Sequence, residues 1–207
     1  VDTIESVRLQ LPSPYFWGMV DNVISKDSCY YISDRKQEMA FRFDKSGTFL
    51  NTIGQRGEGP GEYREMDSFF VGKDCVYVCD MGKRTIYSYS FDGKFLHSLS
   101  FPYSLVFNDV VELPDGRFLC HRPSQSENCK GLWILDQKGR RVKNLLEYEK
   151  GTPCKNSYWN TLCAQEDGTI KIYNPVDGSY YQYDAVNDTV VRTMRQKSNL
   201  PMLADLH

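Results

Sequence analysis

The chain has 207 residues, 41% of them apolar and 14% aromatic, and a net charge of −2. That composition supports one ordinary core and excludes a disordered chain, while the near-neutral balance excludes bulk attraction to nucleic acid or an anionic membrane. The apolar runs span only several residues, far short of the ~20 that a membrane helix requires, so no transmembrane segment is expected.

The sequence starts at Val1 with no basic and apolar leader, as expected of a processed or trimmed chain. Residues 1–20 form an N-terminal segment that includes "SVRLQL" (6–11). A first repeat, 21–66, then reads as four strands. "NVIS" leads through the turn "KDS" to "CYYISD"; a polar loop leads to a strand carrying Phe41 and Phe43; the turn "DKSG" opens "TFLNTI". The same order recurs in 67–108, with "SFFV", "GKD", "CVYVCD", a strand carrying Tyr87 and Tyr89, "FDG" and "KFLHSL". Residues 29–53 and 75–99 align without a gap at an offset of 46, with identity at Cys29/Cys75, Tyr31/Tyr77, Asp34/Asp80, Gly47/Gly93, Phe49/Phe95 and Leu50/Leu96. More divergent copies occupy 109–160 ("DVVEL", "RFLCHR", "LWILDQKGRRVKNL") and 161–196 ("TLCAQ", "TIKIYN", "YYQYDAVNDTVVRTM"), and 197–207 is a tail.

Period-2 alternation of aromatic and β-branched residues, punctuated by Asp and Gly turns, predicts strands and hairpins, and no stretch sustains a helical period. The chain is therefore read as all-β. Four antiparallel strands per repeat of ~40–50 residues is the unit of a β-propeller blade, and stacked blades bury one another's faces. A sandwich or a single large barrel is the rival, and the gapless echo argues against both.

Between the first two repeats lies "IGQRGEGPGEYREM" (53–66). A phosphate loop needs a helix after its glycines, and here a strand follows; there is no GK[ST], and Glu58 and Glu62 would repel a phosphate. The stretch is read as a crossing between blades, not a nucleotide site.

This crossing, with the strand ending in Asp80, the aromatic strand and the "FDGKF" turn after it, resembles the NHL-type propeller repeat. The form "GEGPGEY" resembles exported six-bladed β-propeller proteins of bacteria, many of them lipoproteins of unassigned function. The resemblance implies export to the periplasm or cell surface, with a lipid anchor on a removed N-terminal segment as one form of it. It also implies six blades where four are visible here, so the ring is incomplete in this chain, or blades have been lost, or another chain completes it. The family closes its ring by mixing terminal strands in one blade, and 6–11 is the candidate closing strand. An open ring predicts a homo-oligomer that completes or covers it.

Aligning the inner strands puts Asp21, Asp67 and Asp109 in one slot with Thr161 fourth, flanked by Asn22, Asn108 and Asn160. Converging carboxylates would suit a hard cation, Ca²⁺ or Mg²⁺, or a cationic ligand group; the other reading is that each caps its own turn. Asp34, Asp80 and Asn174 form a second equivalent set, read as turn formers. Arg56, Tyr63, Arg64 and Trp159, with Asn160, lie in crossings and suit a sugar, carboxylate or peptide; an aromatic there also suits a wedge between blades. His97, His121 and His207 are too scattered for a two-histidine metal site or a catalytic triad unless distant loops converge. Of seven cysteines, Cys29, Cys75, Cys79, Cys120 and Cys163 fall in apolar strand-like runs and are read as buried thiols, whereas Cys129 and Cys154 are the pair in polar sequence. The expected function is a non-enzymatic binding or scaffold module for a glycan, peptide or partner protein; the alternative is a metal-dependent hydrolase or lyase.

Overall fold

The computed structural model describes residues 6–123, 131–147, 160–165, 167–175 and 178–195. The described residues form sixteen strands and no helix, in four antiparallel sheets of four. Sheet 1 is β1 (Val20–Lys26), β2 (Cys29–Asp34), β3 (Met39–Asp44) and β4 (Phe49–Thr52). Sheet 2 is β5 (Ser68–Val71), β6 (Val76–Asp80), β7 (Thr85–Tyr89) and β8 (Phe95–Ser100). Sheet 3 is β9 (Asp109–Glu112), β10 (Phe118–Arg122), β11 (Gly131–Leu135) and β12 (Arg141–Leu146). Sheet 4 is β13 (Leu162–Ala164), β14 (Ile170–Asn174), β15 (Ser179–Asp184) and β16 (Thr189–Arg195). Each sheet pairs its strands in chain order, the meander of a propeller blade. The expected all-β blade fold is what the chain adopts.

Asp-led turns set the hairpins. Asp44 Oδ1 accepts the amides of Ser46 and Thr48, both at 2.9 Å, and Asp136 Oδ1 accepts those of Lys138 and Arg140 at the same distance. Each carboxylate replaces ladder bonds that the chain gives up while reversing.

The chain divides into two compact units, Val1–Ser98 and Leu99–His207. In the first unit, sheets 1 and 2 enclose a core of Tyr31, Ala40, Ile53, Tyr63, Phe69, Val76, Val78, Tyr87 and Tyr89. Tyr63 and Tyr89 meet edge to face with ring centroids 6.4 Å apart. On the opposite side of sheet 1, Ile32, Phe41 and Phe43 are covered by Leu9, Leu11 and Tyr15, and the Trp17 ring lies 5.7 Å from that of Phe41. Residues 6–11 thus lie as an apolar cover, with no strand pairing among the described residues. A Cβ on Gly47 would lie 2.3 Å from the Arg8 carbonyl oxygen, as one on Gly93 would lie 2.0 Å from that of Thr52. Arg8 therefore rests on the sheet 1 turn as the end of β4 rests on the sheet 2 turn.

In the second unit, the core is Val111, Leu113, Leu119, Leu132, Ile134, Leu162, Ile170, Ile172 and Tyr183. Arg117 ties sheet 3 to sheet 4 by a two-pronged contact with Asp188, 3.0 and 3.2 Å. Cys29, Cys75, Cys79 and Cys120 are buried as expected, but Cys163 is exposed. Its neighbour Leu162 takes the core-facing position on β13, and a one-residue step along a strand turns a side chain to the other face. Cys129 and Cys154 lie outside the described residues.

Candidate functional site

Asp34 and Asp80 end the second strands of their sheets, and both are fully buried. Asp80 accepts the amides of Arg64 (2.7 Å), Glu65 (3.3 Å) and Lys83 (2.7 Å). Asp34 accepts those of Gly18 (2.6 Å), Met19 (3.0 Å) and Gln37 (3.1 Å). Residues 18, 19 and 37 become 64, 65 and 83 on adding 46, so the two aspartates do the same work at the repeat offset. Each forms its own turn, as read from the sequence, and also holds the incoming chain that crosses onto its sheet. Buried carboxylates are tolerated here because several backbone donors converge on each.

The glycine-rich crossing is a pinned strap. Glu62 accepts the Gly59 amide at 2.7 Å and the Gln55 side-chain amide, so its carboxyl sits below the usual range. Glu58 is likewise lowered, first by the Arg64 guanidinium 2.9 Å away. Lys83 Nζ donates to the carbonyls of Gly57 (2.9 Å) and Glu62 (3.0 Å). Gly57 leaves room for the Glu62 carboxylate: a Cβ there would lie 2.0 Å from Glu62 Oε2 and displace it. Glu58 and Glu62 are thus engaged by the strap's own backbone, Gln55 and Arg64, and by Lys83.

The predicted ligand contacts divide. Tyr63 is wholly buried and its hydroxyl donates to the Glu38 carbonyl at 3.0 Å, so it is a wedge in the core and not a contact residue. Arg56 and Arg64 are exposed on the strap. Asn160 is exposed in the second unit with φ +57°, and Trp159 lies outside the described residues.

The three carboxylates predicted to share a slot do not share one. The second strands end at Asp34, Asp80, Arg122 and Asn174. The residues just before those ends, Ser33, Cys79 and His121, pair with Asn22, Ser68 and Asp109, and the Tyr173 amide donates to the Thr161 carbonyl. Asp21 and Asp67 therefore stand one residue before the slot of Asp109 and Thr161. The cause is local. The Gly72 amide closes its turn on the Cys75 carbonyl, whereas the Leu113 amide reaches Arg117, one residue further, and β1 carries a register shift between Val20 and Asn22. Asp21 accepts the Ser33 hydroxyl at 2.6 Å, and Asp67 accepts the Met81 amide at 2.7 Å. Burial raises the Asp67 carboxyl. Among the described residues no three His, Cys, Asp or Glu side chains gather in a way that could hold a metal ion.

Asp109 belongs instead to a buried polar cluster of the second unit. Its Oδ2 accepts the Leu162 amide and its Oδ1 the Val110 amide, both at 2.9 Å, bridging the first strands of sheets 3 and 4. In sheets 1 and 2 the equivalent tie is Asn22 Nδ2 donating to the Phe69 carbonyl at 3.3 Å. Thr161 Oγ1 lies 3.5 Å from Asp109 Oδ2 and 2.6 Å from His121 Nδ1. A threonine hydroxyl that donates to the carboxylate must accept from the ring, which makes Nδ1–H the donor on a neutral imidazole. Burial pushes Asp109 up to about 6, against the lowering effect of its backbone hydrogen bonds, and His121 down to about 3. His121 lies inside β10, and the cluster left no sign in the sequence because Asp109 and Thr161 come from β9 and from the segment entering β13. His97 meets Ser88 Oγ at 3.2 Å on β8, and His207 lies outside the described residues.

A family model covers residues 1–195. The chain belongs to the family described as Domain of unknown function (DUF4934). No curated protein matches it. A crystal structure of a protein of Bacteroides fragilis NCTC 9343 described as exported is similar over 90% of this chain and 53% of that one, with 23% identity and a TM-score of 0.76. Virginiamycin B lyase from Staphylococcus aureus is similar over 88% of this chain and 57% of its own, with 12% identity and a TM-score of 0.54. The Neurospora crassa Pan2 WD40 domain is similar over 85% and 50%, with 14% identity and a TM-score of 0.52. At such identities the likeness establishes the β-propeller fold alone. The chain spans about half the length of these structures.

Proposed function

We propose that the chain is a non-enzymatic binding or scaffold module of an exported protein, engaging an acidic glycan, peptide or partner protein through the strap between sheets 1 and 2. The observation that carries this is the contrast within the strap. Its backbone is held by Asp80, Lys83, Tyr89 and its own Glu62, while the Arg56 and Arg64 side chains remain exposed, Arg64 in a 2.9 Å surface pair with Glu58 that a ligand anion would exchange. A loop already held in place loses little freedom on binding, and a planar guanidinium matches a carboxylate or sulfate. The metal-dependent reading has no comparable support, since Glu58 and Glu62 are engaged within the strap and the Asp109 carboxylate accepts two backbone amides. The proposed export follows the relative from Bacteroides fragilis.

Calorimetric titration with oligogalacturonate and with polyglutamate tests the reading. Binding of one of them should weaken at least about tenfold in Arg56→Ala/Arg64→Ala with thermal stability unchanged. Equal binding by the double variant, or none by the wild type to either polyanion, would refute the strap as the site.

A further inference from the structure

Glu58, Arg64 and Lys83 form a polar group whose side chains the aspartate clamps do not require. The clamps bind backbone amides, and in sheet 1 Gly18 and Gln37 supply those amides as well as Arg64 and Lys83 do in sheet 2. A guanidinium at 64 and an ammonium at 83 are therefore additions to the repeat. They converge on one group. Glu58 places Oε1 2.9 Å from Arg64 Nε and Oε2 3.4 Å from Lys83 Nζ, so a single carboxylate bridges two cations. Lys83 is already aimed, because two of its three protons go to the Gly57 and Glu62 carbonyls, and its side chain is only 20% exposed. The fit of Glu58 is incomplete. It meets the guanidinium through Nε with one oxygen, short of the paired contact a carboxylate can make there, and its second contact is long. The Arg64 and Glu58 side chains are 58% and 66% exposed, so the pair stands open to exchange.

We propose that Arg64 and Lys83 form the seat for a carboxylate of an acidic peptide, and that Glu58 is its built-in occupant, which a glutamate or aspartate of the peptide displaces. This rests on the strap being the binding surface and names the group that it takes. A carboxylate already lies between the two cations, which is the chemistry the seat accepts. The depth of Lys83 favours a peptide over a uronate. A carboxylate at the end of a flexible side chain reaches a recessed ammonium, as Glu58 does, whereas in a uronate the rigid ring follows one bond behind. Glu58 is held ionised in the seat, its carboxyl lowered first by the Arg64 hydrogen bond. It therefore competes with every incoming anion. A lone weak anion does not displace a carboxylate tethered to the same strap, while a run of acids that also reaches the exposed Arg56 gains a second foothold.

Calorimetric titration of polyglutamate into the wild type and Glu58→Gln tests this. Emptying the seat of its own anion should tighten polyglutamate binding about two- to fivefold, the range expected for an exposed ion pair. Asp92→Asn makes the same change in net charge on the β7–β8 turn, where Asp92 faces Arg42, and should leave the affinity unchanged. In an Arg64→Ala background Glu58→Gln should gain little, and oligogalacturonate should gain less than polyglutamate. Equal or weaker polyglutamate binding by Glu58→Gln overturns the proposal, as does the same gain in Asp92→Asn, which would make it a matter of overall charge. An equal gain for oligogalacturonate overturns the choice of a peptide. A gain that comes with a clear fall in thermal midpoint overturns it too, by assigning the change to a loosened strap. A wild type that binds neither polyanion fails the strap as a site, whereas wild-type binding that Glu58→Gln leaves unaltered fails this inference alone.

Discussion

Asp109 and His121 offer a sharp test because their pH dependences oppose each other. The folded chain holds Asp109 at about 6 against an ordinary 3.8, and His121 at about 3 against 6.5. A raised carboxyl contributes stability that is full below pH 3.8 and lost as pH rises through 6. A depressed imidazole contributes stability that is full above pH 6.5 and lost as pH falls through 3. Each amounts to about 1.4 kcal/mol per pH unit across its window, so between roughly pH 4 and 6 the two slopes cancel. Folding there exchanges an aspartate and an imidazolium for a carboxylic acid and a neutral ring, at constant proton count. Each single variant should uncover the other's slope. Asp109→Asn leaves the histidine, so stability should rise by about 1.4 kcal/mol per pH unit from pH 4 to 6 relative to wild type. His121→Gln leaves the carboxyl, so stability should fall at a similar rate, about 3 kcal/mol over its window. Urea unfolding at pH 4, 5 and 6, followed by the fluorescence of buried Trp133, reads both. If both variants track the wild-type profile in parallel, the buried groups do not hold the protonation states assigned to them.

Asp80→Ala removes the acceptor of three backbone amides at once, and we expect a loss of about 3–5 kcal/mol in chemical denaturation; a loss below about 1 kcal/mol would mean the clamp is not holding the strap. Gly57→Ala displaces the Glu62 carboxylate from the Gly59 amide, so the midpoint of chemical denaturation should fall, and Glu62→Ala should give no further fall in the Gly57→Ala background; an unchanged midpoint in Gly57→Ala would refute the contact. Arg117→Ala should cost about 1–2 kcal/mol at neutral pH. Burial alone would raise Asp188, but Arg117, Tyr183 and Lys143 hold it down at about 2. That contribution is present above pH 3.8 and lost as pH falls through about 2, so an acid titration should show the wild-type advantage over Arg117→Ala vanish at the low end.

What could be read from the sequence depended on whether a feature was carried within one repeat or assembled from several strands. The Asp34/Asp80 pair was visible because the 46-residue echo runs without a gap through β2, its turn and β3, and turn formation is a local property. The echo located those aspartates but not their second task, since the amides of residues 18–19 and 64–65 lie on the crossings. The inner strands carry no such landmark. One extra residue in the β9–β10 turn and a bulge in β1 separate Asp109 from Asp21 and Asp67, and alternation makes an error of one residue a change of face. The carboxylate cluster failed there, although strand order and sheet count held. Tyr63 shows a different limit. An aromatic in a glycine-rich crossing reads equally as a contact residue or a wedge, and the choice turns on Glu38, which reaches the strap from the β2–β3 turn: its carbonyl takes the Tyr63 hydroxyl and its carboxylate the Met66 amide. Such a partner is set by how two repeats meet and leaves no trace in the spacing of either. The same reasoning applies to the apolar margin of sheet 1. Val23 is unremarkable as a valine on a strand and becomes informative only by its exposure beside the burial of Phe69 at the matching register. In a repeat protein the departures between equivalent positions, more than the shared pattern, mark where the neighbouring repeat does not supply the cover.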